Sequence, residues 1–212
     1  MKTLLILTGP QGSGNHLWSK IFAQHPDVYG WHALLHEYWI GHDQEPFAAE
    51  WENPDLLKDF AWGKCEYFVT SVSTPYMLNG ERTVPNIVRF AATAMGQGIR
   101  VKIAIIGRDR NILEYQETRV RGDVTYDLAL KEYEQLRTWA PVFLSYELLH
   151  LYGNLYLQQI ANQLEFPIDY SGPQLANILQ DDTNSKYFQP VAHHPTDDLA
   201  RHTSRKWRPD NK

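Results

Sequence analysis

Thr3-Leu4-Leu5-Ile6-Leu7-Thr8 runs straight into Gly9-Pro10-Gln11-Gly12-Ser13-Gly14, which in turn opens onto Asn15-His16-Leu17-Trp18. The first six residues are an unbroken apolar run, the pattern of a strand buried on both faces of a sheet. From Asn15 to Gln24 the apolar residues Leu17, Trp18, Ile21 and Phe22 recur at helical spacing. His25-Pro26 ends that helix, because proline disfavours helix in the residue before it. The stretch between is a glycine-rich loop joining a buried strand to a helix. Glycines let the backbone turn tightly and aim N–H groups inward, and the helix start adds its positive dipole end. That combination holds a phosphate, so Gln11, Gly12, Ser13, Gly14, Asn15 and His16 are the first candidate binding residues.

The loop departs from the nucleoside-triphosphatase pattern. There a Lys and then a Ser or Thr follow the second spaced glycine; here Asn15 and His16 follow Gly14. Without the lysine and the metal-holding hydroxyl, ATP hydrolysis lacks two of its working parts.

Working outward, Val28-Tyr29-Gly30-Trp31, Glu66 to Val72, Val101 to Ile106 and Val142 to Ser145 read as further strands. Helices are predicted over Pro85 to Met95, Asn111 to Arg119, Tyr126 to Trp139 and Gly153 to Leu164. Alternating strands and helices predict an α/β fold of three layers, a mostly parallel sheet flanked by helices, as one domain over residues 1–212. In such sheets ligands bind beyond the carboxyl ends of the strands. Residues 33–60, rich in Trp, His and acidic side chains and broken by Pro46 and Pro54, read as a lid or substrate-side insertion. Residues 181–212 read as a polar, basic tail.

The net charge of −5 argues against a general nucleic-acid binder. Basic residues nevertheless cluster, at Arg100, Lys102, Arg108, Arg110, Arg119 and Arg121 and again at Arg201, Arg205, Lys206 and Arg208. Local positive charge on an acidic chain suits a small anionic ligand. The one cysteine, Cys65, excludes an intramolecular disulfide and fits a reducing compartment. The apolar start is too short for a signal peptide, and no run reaches the roughly 18 apolar residues that a membrane span needs. A cytoplasmic protein is expected.

Five segments, in order along the chain, resemble the sulfotransferase family that uses 3′-phosphoadenosine 5′-phosphosulfate (PAPS), in its carbohydrate-type pattern. They are Gly9 to Leu17, His25-Pro26-Asp27-Val28, Ser73-Thr74-Pro75-Tyr76, Val101 to Gln116, and Ser145 to Leu149 with Tyr156 to Asp169. The resemblance implies a P-loop NTPase-like sulfotransferase fold. It implies binding of the PAPS 5′-phosphosulfate at the first loop and of its 3′-phosphate by Arg108, with Gln116 near the place of the family serine. It further implies sulfuryl transfer to a hydroxyl or amine of a carbohydrate or small molecule, leaving adenosine 3′,5′-bisphosphate, without a metal. Arg205 in the tail is a further candidate for the 3′-phosphate.

Two features depart from that pattern. Gly12 stands where the family has a loop Lys or Arg, and no lysine directly precedes Ser73. In-line transfer needs a base for the acceptor's proton and a donor for the leaving oxygen. Glu37 and His32, with His36 beside them, are the candidate bases. His16 is the candidate donor, as a neutral imidazole because a helix start lowers its pKa. The alternatives are a non-catalytic nucleotide-binding module of the same fold, or a P-loop kinase.

Overall fold

Strand β1 (Thr3–Pro10) has all eight residues buried, which only a central strand achieves. The computed structural model describes residues 1–182 and Asn184, except 38, 39, 79 and 123. From β1 the chain passes through helix α1 (Asn15–Ala23) to the short strand β2 (Val28–Tyr29). Three 3-10 turns (His32–His36, His42–Gln44 and Pro54–Lys58) and helix α2 (Ala48–Glu52) lead to strand β3 (Tyr67–Thr74). A hairpin of β4 (Tyr76–Leu78) and β5 (Glu81–Thr83) and helix α3 (Ile87–Gly96) precede strand β6 (Arg100–Gly107). Helices α4 (Arg110–Arg121) and α5 (Tyr126–Leu136) then lead to strand β7 (Val142–Ser145), followed by α6 (Tyr146–Tyr152), α7 (Asn154–Leu164) and α8 (Pro173–Gln180).

The five-stranded sheet has the order β2-β3-β1-β6-β7, and every pairing in it is parallel. Because side chains alternate across a strand, β1 feeds two cores. Leu5 and Leu7 pack with Trp18, Ile21 and Phe22 of α1 and with Leu157, Ile160 and Leu164 of α7. Leu4 and Ile6 pack on the other face with Phe47, Trp51, Ile87, Phe90 and Leu136. Each such fully buried side chain contributes about 1.5–3 kcal/mol relative to exposure. The expected three-layer α/β fold with a mostly parallel sheet is the fold observed. Met1–Asp181 forms one compact unit; 182–212 forms another, of which only Asp182 and Asn184 are described.

Several boundaries differ from the sequence expectation. β1 runs on through Gly9 and Pro10, paired with Ser73 and Thr74, so the loop proper is Gln11 to Gly14. Proline is tolerated there because it closes the strand. α5 stops at Leu136, and a 3-10 turn (Arg137–Trp139) completes it. The β4–β5 hairpin, α6 and α8 are additions.

Residues 33–60 are built of short helical pieces, and Phe47, Trp51 and Leu57 are buried in the second core. Trp51 stacks on Phe90 with ring centroids 3.8 Å apart. This segment also covers the edge of β3 beyond the reach of β2. A carbonyl only accepts, so the His42 ring donates from Nε2 to the Ser71 carbonyl, 2.8 Å away. The Glu45 carboxyl accepts from the Thr70 hydroxyl (2.8 Å), the Phe47 N–H (2.7 Å) and the Ser71 N–H (3.4 Å). Full burial outweighs those three donors and pushes the Glu45 pKa up from 4.5 to about 8.

A raised carboxyl pKa stabilises the fold below the unfolded value of 4.5, and that contribution is lost as pH rises to about 8. In thermal denaturation the stability of the wild type relative to Glu45→Gln, which cannot ionise, should therefore fall across that window. Parallel profiles for the two proteins would refute the assignment.

Candidate functional site

The loop lies at the carboxyl end of the central strand, where the chain first turns to β2 and β3 and later to β6 and β7. This switch point is where parallel α/β sheets bind ligands. Gly14, the cap of α1, has φ 110°, a left-handed conformation that a side chain would strain. Gly9 meets a different limit, since a Cβ there would lie 2.3 Å from Ser13 Oγ and 2.8 Å from the Ile106 carbonyl. The Ser13 N–H donates to the Pro10 carbonyl at 3.1 Å, closing the turn. The first N–H groups of α1 have no intrahelical acceptor and face the loop's end of the helix.

Gln11, Ser13 and Asn15 are each at least nine-tenths buried. Gln11 Oε1, Ser13 Oγ and Asn15 Oδ1 have no hydrogen-bond partner among the described residues. The Asn15 amide is engaged, donating to Ser73 Oγ at 3.0 Å and to the Gly9 carbonyl at 3.5 Å. Asn15 occupies the place of the triphosphatase lysine, and its side chain ties the loop to the end of β3.

Arg108 follows the end of β6 and reaches the loop. Its Nη1 donates to the Gly12 carbonyl at 2.8 Å and to Gln116 Oε1 at 3.4 Å. The guanidinium lies over the Tyr146 ring, 4.4 Å from its centroid. Gln116, on α4, is close enough that a Cβ at Gly12 would meet Oε1 at 2.7 Å. Sequence spacing alone separates these residues widely, and the structure brings Gly12, Arg108 and Gln116 together. Tyr146 is the member that the sequence reading did not single out. Its signal was position, at the carboxyl end of β7 where ligand loops gather.

His16 stands at the other side of the loop. Its ring meets Trp31 edge-on at 5.1 Å, Trp31 meets His42 at 6.0 Å, and His42 meets Tyr76 at 5.5 Å. Burial, and then the nearby His42 and Lys20, lower the His16 pKa to about 4. The neutral imidazole expected from the sequence is what the environment produces, but burial rather than the helix start is the leading cause. His42, likewise lowered chiefly by burial, was not among the sequence candidates.

The candidate bases do not lie on an α-helix. His32 to His36 form a 3-10 turn, and Glu37 is its extended C-cap residue. His32, His36 and Glu37 are exposed. His32 Nε2 donates to the Val28 carbonyl at 2.8 Å, and the Glu37 carbonyl accepts from Lys20 Nζ at 2.7 Å. Lys20, one turn beyond His16 on α1, thus ties this turn to the helix that starts at the loop. Arg205 lies outside the described residues. Among the described residues no group of three His, Cys, Asp or Glu side chains is placed to hold a metal ion, and no helix is long and apolar enough to cross a membrane.

Fold and site together define a three-layer α/β protein with a glycine-rich loop at the end of its central strand and an arginine held against that loop. No family model and no curated protein matches the chain. Among solved structures, mouse sulfotransferase SULT7A1 complexed with PAP is similar, with a TM-score of 0.48 and 15% sequence identity over 88% of this chain and 66% of that one. The chain thus spans about two thirds of that protein's length, and no residue role is carried across from a likeness of that depth.

Proposed function

We propose that this chain binds PAPS and transfers its sulfuryl group to a hydroxyl or amine of a carbohydrate or small molecule, in the cytoplasm. The observation that carries the reading is Arg108, whose guanidinium sits on the glycine-rich loop at 2.8 Å from the Gly12 carbonyl. It supplies a fork of donors beside a helix N-terminus, as a nucleotide with two phosphate-bearing ends requires. The buried Ser13 hydroxyl, with no protein partner among the described residues, fits a phosphate oxygen as acceptor.

When bound, PAPS would supply an activated sulfuryl group. Gln11 to His16 would hold its 5′ end, and Arg108 and Gln116 its 3′-phosphate. His16, neutral above a pH of about 4, would donate an N–H toward the oxygen where charge develops. Glu37 or His32, on the turn tied to α1 through Lys20, would take the acceptor's proton, with residues 33–60 forming the acceptor side.

One observation favours a second reading, a nucleotide-binding module without transfer activity. Gly12 stands where sulfotransferases carry the loop Lys or Arg, and Asn15, at the place of the triphosphatase lysine, already donates to Ser73, so neither position supplies a cation. A P-loop kinase is disfavoured by Asn15 and by His16 in place of a metal-holding hydroxyl.

Adenosine 3′,5′-bisphosphate should raise the melting temperature more than ATP with magnesium does. Thermal shifts with each ligand separate the readings: stabilisation by ATP-magnesium alone would overturn PAPS binding. Release of the bisphosphate from PAPS in the presence of a panel of hydroxylated acceptors then tests transfer itself.

A further inference from the structure

Arg108 is the end of a longer chain of contacts that runs back to the first turn of α6. Tyr146, the first residue of that helix, is 1% exposed, and its ring carries the guanidinium at 4.4 Å. The same ring lies beneath the loop: a Cβ at Gly14 would stand 3.5 Å from Tyr146 Cδ2. One aromatic ring therefore touches both Arg108 and, at Gly14, the loop to which Arg108 is bonded.

The next residue fixes the corner from which Arg108 departs. Glu147 Oε1 accepts from the Asp109 backbone N–H at 2.9 Å. Glu147 Oε2 accepts from the Ser145 hydroxyl at 3.2 Å, and Ser145 Oγ caps the helix by accepting from the Leu148 N–H at 3.1 Å. Asp109 in turn caps α4, its carboxylate accepting from the N–H groups of Asn111 and Ile112 at 2.9 and 3.1 Å. The backbone immediately after Arg108 is thus held by both helices, and the first turn of α4, the helix that carries Gln116, is held with it.

We propose that Tyr146 and Glu147 are positioning residues of the phosphate site. Tyr146 orients Arg108 and supports the loop, while Glu147 sets the direction in which Arg108 leaves β6. A flat aromatic face suits a planar guanidinium and holds it in one plane while its edge donors stay directed at acceptors. An unsupported arginine would sample many rotamers, and the loop would lose the donor that closes over Gly12. The ligand part of this inference rests on the PAPS reading; the loop part does not.

The test begins without ligand. Amide hydrogen exchange at Ser13, whose N–H closes the loop turn, is measured in the full chain for Arg108→Ala, Tyr146→Leu and the double variant. Each single change should speed exchange by about tenfold, the scale of one hydrogen bond. The double variant should be no faster than the quicker single, because both remove the same support. Tyr146→Phe, which keeps the ring, should exchange like the wild type, and amides of β1 in all variants report whether the fold itself has loosened. Multiplying effects in the double variant, or a wild-type rate in Tyr146→Leu, would overturn the proposal.

The second arm uses adenosine 3′,5′-bisphosphate as probe. Glu147→Ala should weaken it about fivefold, on the scale of one hydrogen bond, and Glu147→Gln should restore most of the loss. No loss in Glu147→Ala would remove Glu147 from the proposal. If the wild type binds no bisphosphate, the PAPS reading fails, and the exchange measurements still decide the positioning roles.

Discussion

Arg108→Ala should weaken adenosine 3′,5′-bisphosphate binding by about 1.5–3 kcal/mol, one to two orders of magnitude, because a charge-assisted hydrogen bond to phosphate is lost. From the sequence alone, adenosine 5′-phosphate would lose little, since it lacks the 3′ group that Arg108 is expected to read. The structure changes that expectation. Arg108 also donates to the Gly12 carbonyl at 2.8 Å, so its removal loosens the loop that holds the 5′ end. The monophosphate should therefore lose about 0.5–1.5 kcal/mol, the worth of one ordinary hydrogen bond. Arg108→Lys should fall between, since an ammonium keeps the charge but cannot lie flat on Tyr146 or fork toward two acceptors. Calorimetric titration of both ligands on both variants measures the two losses separately. Equal losses would mean that Arg108 acts only through the loop and reads no 3′-phosphate.

The parts of this molecule that local chemistry controls were legible in the sequence, and the parts that tertiary contacts control were not. The apolar run Thr3 to Thr8 had to be a strand buried on both faces, and in the sheet it is flanked by β3 and β6. The extension through Pro10 was hidden, because its pairing partner Thr74 lies in another strand. The β4–β5 hairpin was missed although the sequence Asn79-Gly80 is a strong turn signal between short strands. α6 was missed because its seven residues follow β7 without a break, and only the Ser145 cap marks the change.

At the site, the loop could be read because glycine spacing and strand-loop-helix context act locally. Arg108 could be read because it follows the end of a strand. Tyr146 could not, since nothing in Ser145-Tyr146-Glu147 shows that the ring lies under a guanidinium on another strand. The 3-10 turn from His32 to His36, with Glu37 extended at its end, could not be read, because so short a stretch carries no periodicity that separates a 3-10 from an α-helical turn.

His16→Ala carries the largest expected effect on turnover. If the His16 N–H steadies the leaving oxygen, PAPS turnover with a working acceptor should fall by roughly 10²-fold or more, the scale of losing a transition-state donor. Bisphosphate affinity should change by less than about tenfold, because backbone N–H groups at the start of α1 do most of the holding. The structure adds a stability term that the sequence did not contain. His16 packs edge-on against Trp31 at 5.1 Å, and loss of such a ring contact costs about 0.5–1.5 kcal/mol beyond the area exposed. His16→Gln, which keeps an N–H donor, should recover part of the rate. The pH dependence separates donor from cation. With its pKa held at about 4, His16 is neutral throughout the physiological range, so it should put no inflection near 6.5 into the rate profile. Its contribution to folding runs the other way from that of Glu45. The unfolded imidazole takes a proton near 6.5 while the folded one resists until about 4, so stability should fall as pH drops through that window. His16→Ala should lose the His16 share of that fall, while the buried His42 keeps its own. A rate that survives the alanine change would remove His16 from the mechanism while leaving its packing role intact, because the acid profile reports the buried ring and turnover reports the donor.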